Sequence, residues 1–316
     1  MQTAFVFPGQ GSQFVGMGKE IADAFSEARH VFQEVDDALN QHLSKLIFEG
    51  PLDTLTLTEN TQPALMATSL AILRVIEKQG KVTLPQCCAY VAGHSLGEYS
   101  ALAAAGAISI AETARLLRIR GNAMQQAVPA GKGGMAALLG AEFDVAEKIA
   151  AQASQGDDVC QAANDNGGGQ VVLSGTMAAI DRAIALAPEF GIKRAIKLPV
   201  SAPFHSSLMV PAAKAMEDAL ATADVKAPTV PLIANVTADV VADPDQIRSL
   251  LVQQVTGTVR WRESMLALKA KGVSRIVEIG AGKVLAGLAK RIDKDFDALS
   301  IQTPADIESF MALTSS

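Results

Sequence analysis

Short β-rich runs alternate with helical patterns along most of this chain, and that alternation restricts it to an α/β fold with a mainly parallel sheet. Residues 4–7 read as a strand that ends at Pro8-Gly9. Residues 61–79 read as an apolar helix, 87–92 as a short buried strand, and 97–105 as a helix of small residues. Ser109-Ile110-Ala111-Glu112 has capping-box spacing and opens a further helix to about Gln126. At 128–134 the composition turns to that of a linker rich in Gly. A strand (135–139), a helix (143–154), a strand (159–164), a turn (166–169), a strand (170–174), a helix (177–190) and a strand (193–200) follow. That βαββαβ order is ferredoxin-like, so residues 128–200 are expected to form a small domain inserted into a large α/β domain made of 1–127 and 201–316. The large domain resumes with a strand at 230–234, helices at 244–255 and 260–271, and a strand at 275–279. Gly280-Ala281-Gly282 then turns into a helix from Lys283.

A chain of 316 residues can bury a core that needs neither disulfides nor a structural metal. With 33 acidic and 27 basic residues the formal charge is −6, against the basic excess of a nucleic-acid binder, so no nucleic-acid partner is expected. No run of 18 apolar residues marks a membrane span, and residues 1–7 read as a strand rather than a signal peptide. Cys87, Cys88 and Cys160 show neither metal spacing nor disulfide arithmetic; they read as buried small hydrophobes, and the expected setting is the cytoplasm.

The strongest chemical signal is Gly93-His94-Ser95-Leu96-Gly97, lying between an apolar strand and a small-residue helix. A nucleophile elbow needs that context: a strained turn holds the serine oxygen out at a helix N-terminus, whose free N–H groups stabilise developing negative charge. Four histidines could serve as its base. His30 and His42 lie in polar helical stretches, and His94 should diverge from its neighbour Ser95 on so sharp a turn. His205, in Ser201-Ala202-Pro203-Phe204-His205-Ser206, is the leading candidate. Phe7-Pro8-Gly9-Gln10-Gly11-Ser12-Gln13 is neither a dinucleotide fingerprint nor a P-loop; alone it is an ordinary strand-end turn. Arg120 falls among Leu116, Leu117, Ala123 and Met124 on the apolar face of its helix. Its charge therefore needs a partner, a substrate carboxylate or a protein carboxylate with equal weight. Gly280-Ala281-Gly282-Lys283 lacks the rest of a Walker pattern and reads as a tight strand–helix turn.

Together these residues resemble the malonyl-CoA:acyl carrier protein transacylases. The likeness runs through FVFPGQGSQ (5–13), TQPAL (61–65), GHSLGEYSAL (93–102), RG (120–121), MAALLG (135–140), QVVLSG (170–175), PFHSSLM (203–209) and GAGKVL (280–285). It implies a hydrolase-like α/β core with an inserted ferredoxin-like domain. It also implies roles: Ser95 takes the acyl group, His205 is the base, and Gln10 and Leu96 offer oxyanion-hole N–H groups. Arg120 would hold the free carboxylate of malonate, the Gln254 carbonyl would orient the histidine, and Asn164 would lie near the cleft. Phe204 stands where some relatives carry Ser, which bears on substrate fit, and Ala281 replaces a common Pro. The implied reaction is ping-pong transfer of malonyl from malonyl-CoA to the phosphopantetheine of an acyl carrier protein, by a monomer, with no cofactor, metal or membrane. A polyketide-pathway transacylase, an esterase or thioesterase, and a non-catalytic carrier-binding module are the rival expectations. The last fits poorly with Ser95, His205 and Arg120 all present.

Overall fold

Ala4, Phe5, Val6 and Phe7 are all fully buried, as a strand inside a sheet covered on both faces must be. The computed structural model describes residues 1–200 and 202–314. Its strands are β1 (Gln2–Phe7), β2 (Tyr90–Gly93), β3 (Gly133–Leu139), β4 (Cys160–Gly167), β5 (Gln170–Thr176), β6 (Arg194–Lys197), β7 (Leu232–Ile233), β8 (Val240–Val241), β9 (Val273–Ile279) and β10 (Asp297–Ile301). The larger sheet runs β10-β9-β1-β2-β7-β8, parallel throughout except for the antiparallel β7–β8 edge. Side chains alternate across β1. Phe5 and Phe7 enter one core with Leu65, Leu96 and Tyr99; Ala4 and Val6 enter another with Ala92, Trp261 and Ile276.

The smaller sheet runs β4-β5-β3-β6 and is antiparallel throughout. In order of appearance that is second, third, first, fourth, the ferredoxin-like arrangement. One face, with Ala136, Leu138, Val171 and Leu173, packs on Ile149 and Ile180 of its two helices. Met135, Ala137 and Val172 point the other way and join the large core. That second face becomes one wall of the site described below.

Several elements depart from the sequence expectation for local reasons. Residues 87–89 are not strand: Cys87 ends a short helix, Leu84–Cys87. Pro85 in its first turn and the Gln86 side chain accepting the Thr83 N–H at 2.8 Å favour that helical turn. Gly133 and Gly134, expected in a linker, pair with Thr176 and Gly175 in β3. β4 runs through Asn166 and Gly167, so the hairpin turn shrinks to Gly168-Gly169. The edge strands β10 and β8 and the helices Val210–Thr222 and Pro304–Thr314 carry no clear local signal in the sequence. Among the described residues no helix is long and apolar enough to cross a membrane.

Candidate active site

The C-terminal ends of β1, β2 and β7 converge, and this end of a parallel sheet is where open α/β folds place their sites. β2 stops at Gly93 and the helix Leu96–Ala104 begins two residues past His94. Between them Ser95 has φ 54° and ψ −111°, a strained conformation for a residue with a Cβ. Close approach explains the flanking glycines. A Cβ on Gly93 would stand 1.9 Å from the Gly97 carbonyl carbon, and one on Gly97 would stand 2.2 Å from the Phe7 oxygen. Asn235, just beyond β7, clamps the turn: it accepts the Ser95 N–H at 2.8 Å and donates to the Gly93 carbonyl at 2.7 Å. Nothing in the sequence marks Asn235, because a lone Asn after a two-residue strand carries no local signal.

Ser95 Oγ lies 2.8 Å from His205 Nε2. His205 Nδ1 faces two carbonyl oxygens, Gln254 at 2.8 Å and Gly257 at 3.2 Å. Carbonyls only accept, so Nδ1 carries the proton and Nε2 presents its lone pair to the serine hydroxyl. The Gln254 main chain thus stands where the family resemblance expected it. Burial, and then the nearby Arg120 charge, push His205 down to about 3, with the two carbonyl bonds opposing them. The imidazole is therefore neutral at physiological pH, as a base must be. His94 does diverge: its Nε2 pairs with Asn166 Oδ1 at 2.8 Å and its ring tilts against Trp261. His30 and His42 are exposed.

This geometry predicts that the His205 imidazole resonances keep their neutral-form shifts in an NMR titration from pH 7 to 5. A midpoint near 6.5 would contradict the burial argument. The sign of the linked stability follows. Between about 3 and 6.5 the unfolded chain binds a proton that the folded chain refuses. The stability present above pH 6.5 is therefore lost as pH falls through that window.

Arg120 sits on the helix Ile110–Gln126 and is 1 % exposed. Gly121 allows the approach that buries it, since a Cβ there would be 2.6 Å from Glu59 Cα on the neighbouring helix Thr58–Gly80. Its guanidinium makes no carboxylate pair among the described residues. Instead Nη1 donates to Gln62 Oε1 at 2.9 Å, while Nη2 donates to Gln254 Oε1 at 2.8 Å and to Ser95 Oγ at 3.2 Å. The protein-carboxylate alternative is thereby corrected: three neutral oxygens hold the cation. The Gln62 and Gln254 side chains were missed as its partners, though Gln62 lies inside the TQPAL stretch.

A cavity of about 450 Å³ opens over this group, lined by Gln10, Ser95, Leu96, Arg120 and His205, with Asn164 and Phe204 in its walls. The main-chain N–H groups of Gln10 and Leu96 take no protein acceptor among the described residues. Gln254 stands behind the cavity rather than in its wall. The Gly280–Lys283 turn is not a phosphate cradle. Gln302 Oε1 accepts the Gly282 N–H at 3.1 Å, and the buried Glu278 carboxyl accepts the Ala286 N–H of the helix Val284–Ile292 at 2.9 Å.

An elbow serine hydrogen-bonded to a neutral histidine, at the C-terminal ends of a parallel sheet walled by a ferredoxin-like unit, defines the class of α/β acyl-transfer enzymes. Comparison narrows the class. The acyl transferase domain model matches residues 4–300, and the chain belongs to that family. It is 46 % identical over 305 residues to the malonyl CoA-acyl carrier protein transacylase of Bacillus subtilis, covering 96 % of this chain and 95 % of the relative. The crystal structure of an acyl-carrier-protein-S-malonyltransferase from Bartonella henselae superposes with a TM-score of 0.97 at 56 % identity, covering all of both chains. A type II polyketide synthase acyl-carrier protein in complex with its malonyl-transacylase also matches. There the TM-score is 0.94 at 38 % identity, over 99 % of this chain and 100 % of the other.

Proposed function

We propose that this enzyme transfers the malonyl group of malonyl-CoA to the phosphopantetheine thiol of acyl carrier protein in fatty acid synthesis, through a malonyl ester on Ser95. One observation carries the reading: Ser95 Oγ lies within a hydrogen bond of both a neutral imidazole and a buried guanidinium. In malonyl a single methylene separates the thioester carbonyl from the free carboxylate. A cation beside the nucleophile is where such an acyl group puts its charge, and a guanidinium can grip it in a two-pronged fork.

In the first half-reaction Ser95 Oγ attacks the thioester carbon as His205 Nε2 takes its proton. The carbonyl oxygen becomes an oxyanion held by the Gln10 and Leu96 N–H groups. The C–S bond then breaks, and the coenzyme A thiolate leaves with the proton from His205. In the second half-reaction the carrier-protein thiol gives its proton to His205 and attacks the ester, and Ser95 departs with that proton. Arg120 grips the malonyl carboxylate in both halves, with Asn164 and Phe204 shaping the cleft. These side chains and two thiols account for every bond made and broken, so we propose a reaction without cofactor or metal. We also propose a cytoplasmic monomer that meets its carrier protein transiently, a setting that suits three free cysteines.

Intact-protein mass spectrometry after brief exposure to malonyl-CoA tests the reading. The expected result is one malonyl adduct that maps to Ser95 and disappears on adding holo acyl carrier protein. An unmodified protein, or an adduct that water rather than the carrier removes, would reject transfer in favour of binding or hydrolysis.

A further inference from the structure

Glu98 lies three residues past the nucleophile on the helix Leu96–Ala104, is 1 % exposed, and takes part in no step above. Its Oε2 accepts two hydrogen bonds, from Gln254 Nε2 at 2.8 Å and from the Asn235 main-chain N–H at 3.1 Å. Gln254 Nε2 also donates to the Ser95 carbonyl at 2.9 Å. With its nitrogen committed to those two acceptors, the Gln254 amide must turn Oε1 toward Arg120, where it accepts at 2.8 Å. Rotating the amide by half a turn would set its NH₂ against the guanidinium and its oxygen against a carboxylate. Both contacts repel, so a carboxylate at 98 gives the amide one orientation. The main chain of the same Gln254 receives His205 Nδ1–H.

We infer that Glu98 is a positioning residue for malonyl transfer, fixing through Gln254 the aim of both the Arg120 guanidinium and the His205 imidazole. The inference rests on the roles proposed above for Arg120 and His205. The arrangement also answers a question of charge. Among the described residues Arg120 has no direct anionic partner, and Gln254 stands as a polar link between the buried cation and the buried carboxyl. Burial pushes Glu98 up to about 7, while the bonds from Gln254 and Asn235 and the charge of Arg120 pull it back. Tyr99, beside it on the same helix, also feels its charge. At pH 8 the carboxylate form predominates, and that is the condition for the test.

The experiment compares wild type, Glu98→Gln and Glu98→Asp in single-turnover loading from malonyl-CoA and from acetyl-CoA. Rates are normalised to the sites that finally carry acyl-Ser95. Gln keeps the shape but removes the charge, and in one of its two amide orientations it sets an NH₂ against the Gln254 NH₂, which loosens the hold on that amide. Asp keeps the charge but is one methylene short. For Glu98→Gln we expect malonyl loading per active site to fall on the order of 10-fold, as when a charge-assisted hydrogen bond is exchanged for a neutral one. The malonyl-to-acetyl ratio should fall with it, because Arg120 loses its aim. Glu98→Asp should recover only part of either. Unchanged per-site rates and an unchanged ratio in both variants, even with fewer active sites, would make Glu98 a packing residue and overturn the inference. Malonyl loading of wild-type Ser95, read in the same experiment, tests the underlying function separately.

Discussion

Ser95→Ala lowers malonyl transfer roughly 10⁴-fold or more, the loss expected when a serine nucleophile is deleted while binding and oxyanion donors remain. The three thiols are poor substitutes for its Oγ, since only a thiolate attacks well. Burial pushes Cys87 up to about 11 and Cys160 up to about 12, and it raises Cys88 as well. His205→Ala should slow both half-reactions, because one Nε2 handles the proton in each. The two losses should not add, since serine and histidine act as a unit through a 2.8 Å bond. Stopped-flow loading with malonyl-CoA, followed by discharge to carrier protein, separates the steps. Labelled acyl group found on a cysteine, or a His205→Ala enzyme that discharges at the wild-type rate, would defeat the scheme.

Arg120→Ala should depress kcat/KM for malonyl-CoA on the order of 10²-fold while sparing or raising that for acetyl-CoA. A guanidinium left wholly unpaired by an acetyl group would give a selectivity on the order of 10²–10³. The tertiary structure moderates that figure. Gln62, Gln254 and Ser95 already accept from Arg120, so an acetyl complex leaves the cation bonded to neutral oxygens. What malonate adds is the difference between a carboxylate fork and those neutral bonds, about 3 kcal/mol in a site this dry, and each 1.4 kcal/mol is tenfold. Arg120→Lys should rescue partly, because an ammonium offers a point charge without the fork. Steady-state kinetics with both substrates for wild type and the two variants decide the matter. An equal fall for malonyl and acetyl in Arg120→Ala would make Arg120 a structural residue and remove the clamp.

We propose a smaller part for Phe204 in the same discrimination. It lies in the cavity wall immediately before the base, where bulk opposes branching at the α-carbon of the acyl group. In the proposed reaction its aromatic ring and the Arg120 cation would select on different features of one short acyl chain, shape and charge.

Much of the site was legible in the linear sequence because its parts are locally coded. An elbow needs glycines within two residues of the serine, a strand before it and small residues after it, and all of those are neighbours in the chain. Arg120 announced its burial through the apolar residues three and four positions away, a periodicity that one helix imposes. The βαββαβ order of the small unit was likewise visible, since strand and helix periods differ and Gly-rich turns mark the joints. The strands β8 and β10 escaped local detection because pairing with β7 and β9, rather than their own pattern, defines them, and the helix at 84–87 because four residues are too few to show a helical period.

What holds the Arg120 guanidinium and what clamps the elbow were decided by tertiary structure alone. Asn235 reaches Ser95 across 140 positions, Gln254 across 159, and Glu98 meets Gln254 across 156. None of these amide or carboxyl side chains has a neighbour in sequence that betrays its role. A hydrogen bond depends on distance and direction between two groups, and those become defined only when the strand ends of the parallel sheet have been brought together.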